Sequence, residues 1–379
     1  MTHLMPPKTA PQSPGTPVWS GQSAPVALAA VAKASGEETL LAAVKRVAEA
    51  ASDFSWLSPG DAVLLKPASN SGNRYPATTS PLAVRAMAGL LKEKGAGRVI
   101  LGDKAGVQYV YQEEKGQRGA TRKLMRRNGL EQAALEAGGE VLCFEEAGYG
   151  AYFGDRTEHP GHWRGELMLP RILTQVDHVV LLPRVSRHVL AGSTLGLKAA
   201  VGWLRDDSRL ELHRDAASFL AKIVEINDAA VLRQKLRLVL SVATKVQTTF
   251  GPDRGYAAEP DPGLIFASAS LLAHDMVALS WLLWNREFET PAWQLSWLKD
   301  PYQTYPGALN RAFVGHIWGA GELLKSETYA TVPIVSVATD PLLSWGSHLW
   351  GGLPRLEVED VGGRLPESIK SYLLEKSSS

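Results

Sequence analysis

Long apolar runs broken by polar, glycine-bearing stretches set the rhythm of this chain. From Pro25 the run "VALAAVA" precedes a segment, 37–53, with apolar residues at helical spacing. "DAVLLKP" precedes a second such segment at about 80–95, and "GRVILGD" a third at about 119–137. "GEVLCFE" opens onto a loop-rich stretch, and "VDHVVLLP" leads through a short loop to "TLGLKAAVGW", read as a helix. Runs of Val, Leu and Ile without polar alternation predict strands covered on both faces, as in a parallel sheet. Strands and helices alternating at these lengths suit right-handed crossovers. The fold class expected is therefore α/β: a mostly parallel sheet in an α/β/α layering, followed by a loop- and Trp-rich C-terminal part.

Further along, 210–226 has apolar residues at 219, 220, 223 and 226, again helical spacing. "LRLVLSVAT" and "GLIFASAS" predict two more strands, the latter feeding the helix "LLAHDMVALSWLLW". The stretch 145–166 is long for a loop inside a compact domain and suits a lid or a partner surface. Residues 1–22 are rich in proline and poor in aliphatic side chains, which predicts a disordered tail. The expected organisation is that tail, an α/β domain over 23–365 (divisible at about 250 into 23–250 and 251–365), and a C-terminal tail over 366–379.

Composition narrows the classes. The 379 residues carry 40 basic and 39 acidic side chains, a formal net charge of +1. That balance excludes a nucleic-acid partner and a membrane-surface partner, both of which need a basic bias. The basic run "RGATRKLMRRNG" at 118–129 reads as a solvated helix face. A lone cysteine, Cys143, excludes an internal disulfide framework and any iron–sulfur cluster held by this chain. No apolar run reaches the ~18 residues of a membrane helix. The alanine-rich start reads as a strand–helix unit and not a signal peptide, so a cytoplasmic protein is expected.

In open α/β sheets ligands bind beyond the carboxyl ends of the strands. After "DAVLL" come Lys66, Asn70, Arg74, Thr78 and Thr79; after "VILG" come Asp103 and Lys104; after "VVLLP" come Arg184, Arg187 and His188. Ser268, Ser270 and Asp275 follow "LIFA". Cationic and hydroxyl groups at one sheet edge suit a small anionic molecule, a carboxylate or a phosphate. The competing reading is a set of unrelated caps and surface residues, with Ser80 or Thr79 capping one helix and Ser270 another. Lys198, inside "TLGLKAAVGW", is either buried with its pKa lowered toward the nucleophilic range or reaches solvent along its stem. His188 follows a buried strand and suits proton transfer. His213 lies near the start of an amphipathic segment, where a surface or capping role competes with a site role. Glu158, His159 and His162 have metal-like spacing, but Pro160 and Gly161 argue for a loop and no third ligand accompanies them.

The order "VLLKPASN…ATTSPLAVRAMAGLLKEKGAGRVILGD", "VDHVVLLPRVSRH", "TLGLKAAVGW", "LELHRD", "FGPDRG" and "ASASLLAHDMVAL" resembles the domain-of-unknown-function family 362 over about residues 25–320. Three positions depart from the pattern of that family: Ala68 replaces an asparagine, "RVSRH" a lysine-rich approach to the histidine, and Ala199 an asparagine after the lysine. A more distant resemblance is to the nickel-dependent lactate racemases, whose histidine–lysine–histidine order is matched by His188, Lys198 and His213. That resemblance implies a nickel pincer-type nucleotide tethered to Lys198, with His213 as the metal ligand and His188 as an acid/base; Arg74 would match a substrate-loop arginine. The functional expectation is an isomerase- or oxidoreductase-like enzyme with His188, Lys198 and His213 catalytic. Lys66, Asn70, Arg74, Thr78, Thr79, Asp103, Arg184, Arg187 and Asp275 would hold the anion. The alternative is a non-catalytic binding or assembly protein whose cleft has drifted, which the changes at Ala68 and Ala199 favour. The oligomeric state is open, a homodimer included.

Overall fold

Eight strands form one sheet in this computed structural model, which describes residues 23–251, 253–300, 306–329 and 334–378. The expected N-terminal tail, 1–22, lies outside the described residues. In chain order the strands are β1 (Ala24–Val31), β2 (Ala62–Pro67), β3 (Arg98–Asp103), β4 (Glu140–Cys143), β5 (His178–Leu182), β6 (Leu236–Ala243), β7 (Gly263–Ser268) and β8 (Leu356–Asp360). Across the sheet the order is β8-β1-β7-β6-β5-β2-β3-β4. All neighbours are parallel except at β7, which runs antiparallel to both β1 and β6.

The helices that matter below are α1 (Glu37–Ala51), α2 (Pro81–Glu93), α3 (Gly196–Ala199), α4 (Asp206–Arg214), α5 (Phe219–Ile226), α6 (Leu271–Phe288), α7 (Pro306–Trp318) and α8 (Glu367–Ser378). Alternate strand residues point to opposite faces, and two hydrophobic cores result. Val63, Leu65, Leu101, Val180 and Leu240 pack under α1 and α2. Leu64, Ile100, Leu181, Val239 and Phe266 pack against α5 and α6. This is the expected α/β/α layering.

Local differences have local causes. The helix expected over 119–137 is two, Thr121–Asn128 and Leu130–Glu136, parted by Gly129 with φ of 87°. Glycine adopts that left-handed conformation without a Cβ penalty. The segment 210–226 is likewise divided, α4 ending at Arg214, with Asp215 as its cap, before α5 begins at Phe219. "TLGLKAAVGW" contributes a single α-helical turn, α3, and then a 3-10 turn over Ala200–Trp203. The C-terminal tail expected over 366–379 is instead the helix α8, with Ile369 and Leu373 buried in the larger core. Its Tyr372 ring meets Trp284 of α6 edge-on, at 5.1 Å between centroids.

The strand order sets the site. From β2 the chain steps outward to β3 and β4, whereas β5 lies on the other side of β2 and leads toward β6. Connections leaving the carboxyl ends of β2 and β5 therefore diverge, and a crevice opens between them.

Candidate functional site

A cleft of about 120 Å³ occupies that crevice, and its wall includes Lys66, Asn70, Asp103, Arg184, His188, Lys198, Arg209 and His213. Part of this wall is an internally paired framework. Lys66 Nζ lies 2.8 Å from Asp103 Oδ1, both side chains almost wholly buried. The same ammonium donates to the carbonyls of Pro67 and Ala199. Asp103 also accepts the backbone N–H groups of Ser69 and Lys104. Gly202 belongs to this arrangement, since a Cβ there would stand 2.4 Å from Asp103 Oδ1 and 2.5 Å from Lys66 Nζ. Next to it Lys104 Nζ pairs with Asp206 at 2.6 Å. Burial, and then the Arg209 charge, push the Lys104 amine down to about 8, against the pull of Asp206. Arg209 donates to four carbonyls, those of Leu204, Ala105, Lys104 and Gly202, and so ties α4 to the loop after β3.

The remaining groups face the cleft differently. Lys198, carried by α3, makes no hydrogen bond or ion pair among the described residues. Burial first, then the positive charges of Arg184 and Arg209, push its amine down to about 7, with Asp253 opposing. His188 Nδ1 accepts the N–H groups of Leu190 and Ala191 at 3.1 and 3.2 Å. An accepting Nδ1 places the proton of the neutral ring on Nε2. Burial, Lys198 and Arg184 hold this imidazole well below the usual histidine range. His213 is wired in the opposite sense: its Nδ1 lies 2.8 Å from the Arg209 carbonyl, which can only accept. Its neutral ring therefore carries the proton on Nδ1 and a lone pair on Nε2. Burial pushes it down to about 4, with its bond to that carbonyl pulling the other way. Arg184 donates to the Pro76 carbonyl and to Gln247 Oε1, and Asn70 bonds Asp253.

Seven of the expected residues thus share one cleft: Lys66, Asn70, Asp103, Arg184, His188, Lys198 and His213. Five do not line it. Arg74 is exposed and lines a separate hollow beside α2. Thr78 donates to the Asn73 carbonyl, while Thr79 donates to the Leu182 carbonyl and accepts from Ala68 N–H; both serve the loop backbone. Arg187 clasps the hairpin 186–194 through the Gly192 carbonyl and pairs with Asp300. Asp275 is displaced because β7 runs antiparallel, so Ser268 at its carboxyl end pairs with Val239 near the start of β6, at the opposite sheet edge. Its carboxylate accepts the N–H groups of Gly196 and Leu197, at 2.8 and 2.7 Å, and fixes the start of α3.

Asp275 also belongs to a chain of groups that resembles a hydrolase triad on paper. Ser241 Oγ is 3.0 Å from His274 Nε2, and His274 Nδ1 is 2.8 Å from Asp275 Oδ1. All three are buried, and none lines the cleft; the relay anchors α3 beneath Lys198. His159 and His162 bond the buried carboxylates of Asp228 and Glu225 and so pin their loop to α5. Among the described residues no three His, Cys, Asp or Glu side chains gather as metal ligands. Arg209 and Asp206 are cleft-framework residues that the sequence reading passed over. Arg209 had a signal, since it stands four residues before His213 and four-residue spacing shares a helix face. Phe313 reaches the cleft from α7 with no sequence signal.

A family model described as "Domain of unknown function (DUF362)" matches residues 63–280. No curated protein matches the chain. Among solved structures, the lactate racemase apoprotein from Thermoanaerobacterium thermosaccharolyticum aligns at 14% identity and a TM-score of 0.37, over 60% of this chain and 51% of that one. A protein from Thermotoga maritima aligns at 11% identity and 0.32, over 56% and 51%. The chain spans about half the length of each. No described helix is long and apolar enough to cross a membrane.

Proposed function

The chain belongs to the DUF362 family, and we propose that its cleft binds a small anionic molecule and moves a proton on it, as an isomerase-like enzyme does. One observation carries this reading: His188 and His213 present opposite tautomers to the same cleft that holds Lys198 and Arg184. His188 Nε2–H is a proton donor. His213 Nε2 is an acceptor, and being neutral at pH 7 it is free to act as one. Lys66 and Lys104 are paired with Asp103 and Asp206; Arg184, Arg209 and the charged fraction of Lys198 add cationic groups to the wall, against the carboxylate of Asp253. A wall carrying such groups suits a carboxylate or phosphate. The volume of about 120 Å³ admits on the order of ten water-sized groups.

A tethered nickel pincer-type nucleotide is less well supported. The free amine of Lys198 suits a tether, but the residues present do not fit the group as a whole. The cleft of about 120 Å³ would not enclose a whole nucleotide, and among the described residues no cluster of metal-binding side chains lines it. A non-catalytic binding protein is the second reading, favoured by how many cleft cations serve the framework. Titrating the protein with lactate, pyruvate and phosphate, and following solvent deuterium at the carbon beside the carboxylate, tests both. The enzyme reading expects exchange that His213→Gln abolishes while binding persists. Binding without exchange favours the second reading, and no binding of any anion overturns both.

A further inference from the structure

Three lysines are buried in or near this half of the molecule and a fourth, Lys198, is half-buried, and they fall into two kinds. Lys66 faces Asp103, Lys104 faces Asp206, and Lys222 lies 2.8 Å from both Glu211 and Asp215. Each has a carboxylate partner, which is the ordinary condition for a buried lysine. Lys198 is the exception. It lines the cleft without a hydrogen-bond or ion-pair partner among the described residues; its charged neighbours are the cations Arg184 and Arg209 and, pulling the other way, the carboxylate of Asp253. Such surroundings disfavour the protonated amine, and an unprotonated amine is a nucleophile.

We propose that Lys198 is a carbonyl-capturing residue that condenses reversibly with a small 2-oxo acid whose carboxylate is held by Arg184. The proposal rests on the small-anion reading above and adds the electrophile. The Nζ lone pair attacks the carbonyl carbon, and the C=O π electrons go to oxygen. The oxygen takes a proton from His188 Nε2–H while the positively charged nitrogen returns one to that ring, giving a neutral carbinolamine. Loss of the hydroxyl as water, its second proton drawn from solvent, leaves a protonated C=N bond: amine plus carbonyl plus one proton gives iminium plus water, with no oxidant or reductant. His213 Nε2 then removes a proton from the carbon next to the iminium; the C–H pair becomes an enamine double bond and the C=N π pair returns to nitrogen. Return of a solvent proton reverses that step. The 2-oxo acid fits on three counts: its carboxylate suits the cationic wall, its carbonyl suits the amine, and its size suits the cleft.

The experiment is reductive trapping of the full-length chain with pyruvate and borohydride at pH 7, followed by intact mass and peptide mapping. Binding of pyruvate and lactate is measured in parallel by thermal shift. Lactate has no carbonyl, so it reports the anion site alone. The expected result is one carboxyethyl adduct per chain, mapped to Lys198 and formed faster than at exposed lysines such as Lys33. It should be lost in both Lys198→Met and Lys198→Arg, while lactate still shifts the melting temperature of the wild type. Adducts confined to exposed lysines, with both anions bound, overturn the imine and leave the anion reading standing. Adducts confined to exposed lysines with neither anion bound overturn both.

Discussion

Replacing Lys198 by methionine should stabilise the protein, and by an amount that depends on pH. Methionine keeps the unbranched stem and removes the amine, so packing around α3 changes little. Burial and the neighbouring cations push the amine down to about 7 in the folded chain, against the ordinary lysine value of 10.5. At 1.36 kcal/mol per unit this shift corresponds to ~5 kcal/mol against folding. Because the group opens on a cleft that water enters, we expect about 2–5 kcal/mol. The direction follows from proton binding. Between pH 7 and 10.5 the unfolded lysine holds a proton that the folded one lacks, so wild-type stability rises with pH across this window. Below about pH 7 both states are protonated and the penalty is at its full size. Above 10.5 both are neutral and it vanishes. Urea denaturation of wild type and Lys198→Met at pH 6 and again at pH 10 reads this directly. The variant should lead at pH 6, with the gap largely closed at pH 10. A variant less stable than wild type at pH 6 would mean that the ammonium has a partner, and would refute the description of Lys198 as an unpaired amine.

Other expectations concern the framework around that amine. Gly202→Ala drives a methyl group into the Lys66–Asp103 pair and should lower stability by about 1–3 kcal/mol in urea; an unchanged midpoint would mean that the pair can yield. Lys66→Met strands a buried carboxylate and should be destabilising by about 3–5 kcal/mol, with Lys66→Met/Asp103→Asn recovering part of it in a double-mutant cycle. Asp275→Ala leaves two N–H groups at the start of α3 without their acceptor, about 1–3 kcal/mol for each. It should also slow the trapping of pyruvate at Lys198, as read by adduct formation over time, because α3 carries that residue.

Much of the sheet was legible because β2, β3, β5 and β6 are buried on both faces, and unbroken Val/Leu/Ile runs report burial. Such runs say nothing about direction, however. β7 reads like its neighbours yet points the other way, which is why Asp275 was expected at the ligand edge and stands under α3. β8, "LEVED", alternates charged and apolar residues at the sheet edge, too short and too acidic to stand out from a turn-rich region. In the cleft, the residues next to strand ends were readable from position alone: Lys66, Asp103, Arg184 and His188. Backbone wiring was not. The contrast between His188 and His213 depends on which main-chain group each Nδ1 meets, and no spacing rule encodes that. Arg187 illustrates the same limit, since its neighbour Arg184 lines the cleft while it clasps a hairpin.

The position of β1 in the sheet bears on how the molecule is made. A ribosome delivers this strand before the other seven of the sheet, but its neighbours come from much later in the chain: Ala27 meets Ala267, and Ala24 meets Leu356. Throughout most of synthesis β1 is an apolar strand with both edges open, a form prone to pairing with the wrong partner. Contacts this distant in sequence close slowly, because the intervening chain must be ordered before they are rewarded. The β2–β3–β4 unit, by contrast, can assemble as it emerges. A nascent chain stalled before β7 should therefore hold a partly formed sheet and an unpaired β1 that recruits chaperones, and release of the last hundred residues should be the step that discharges them.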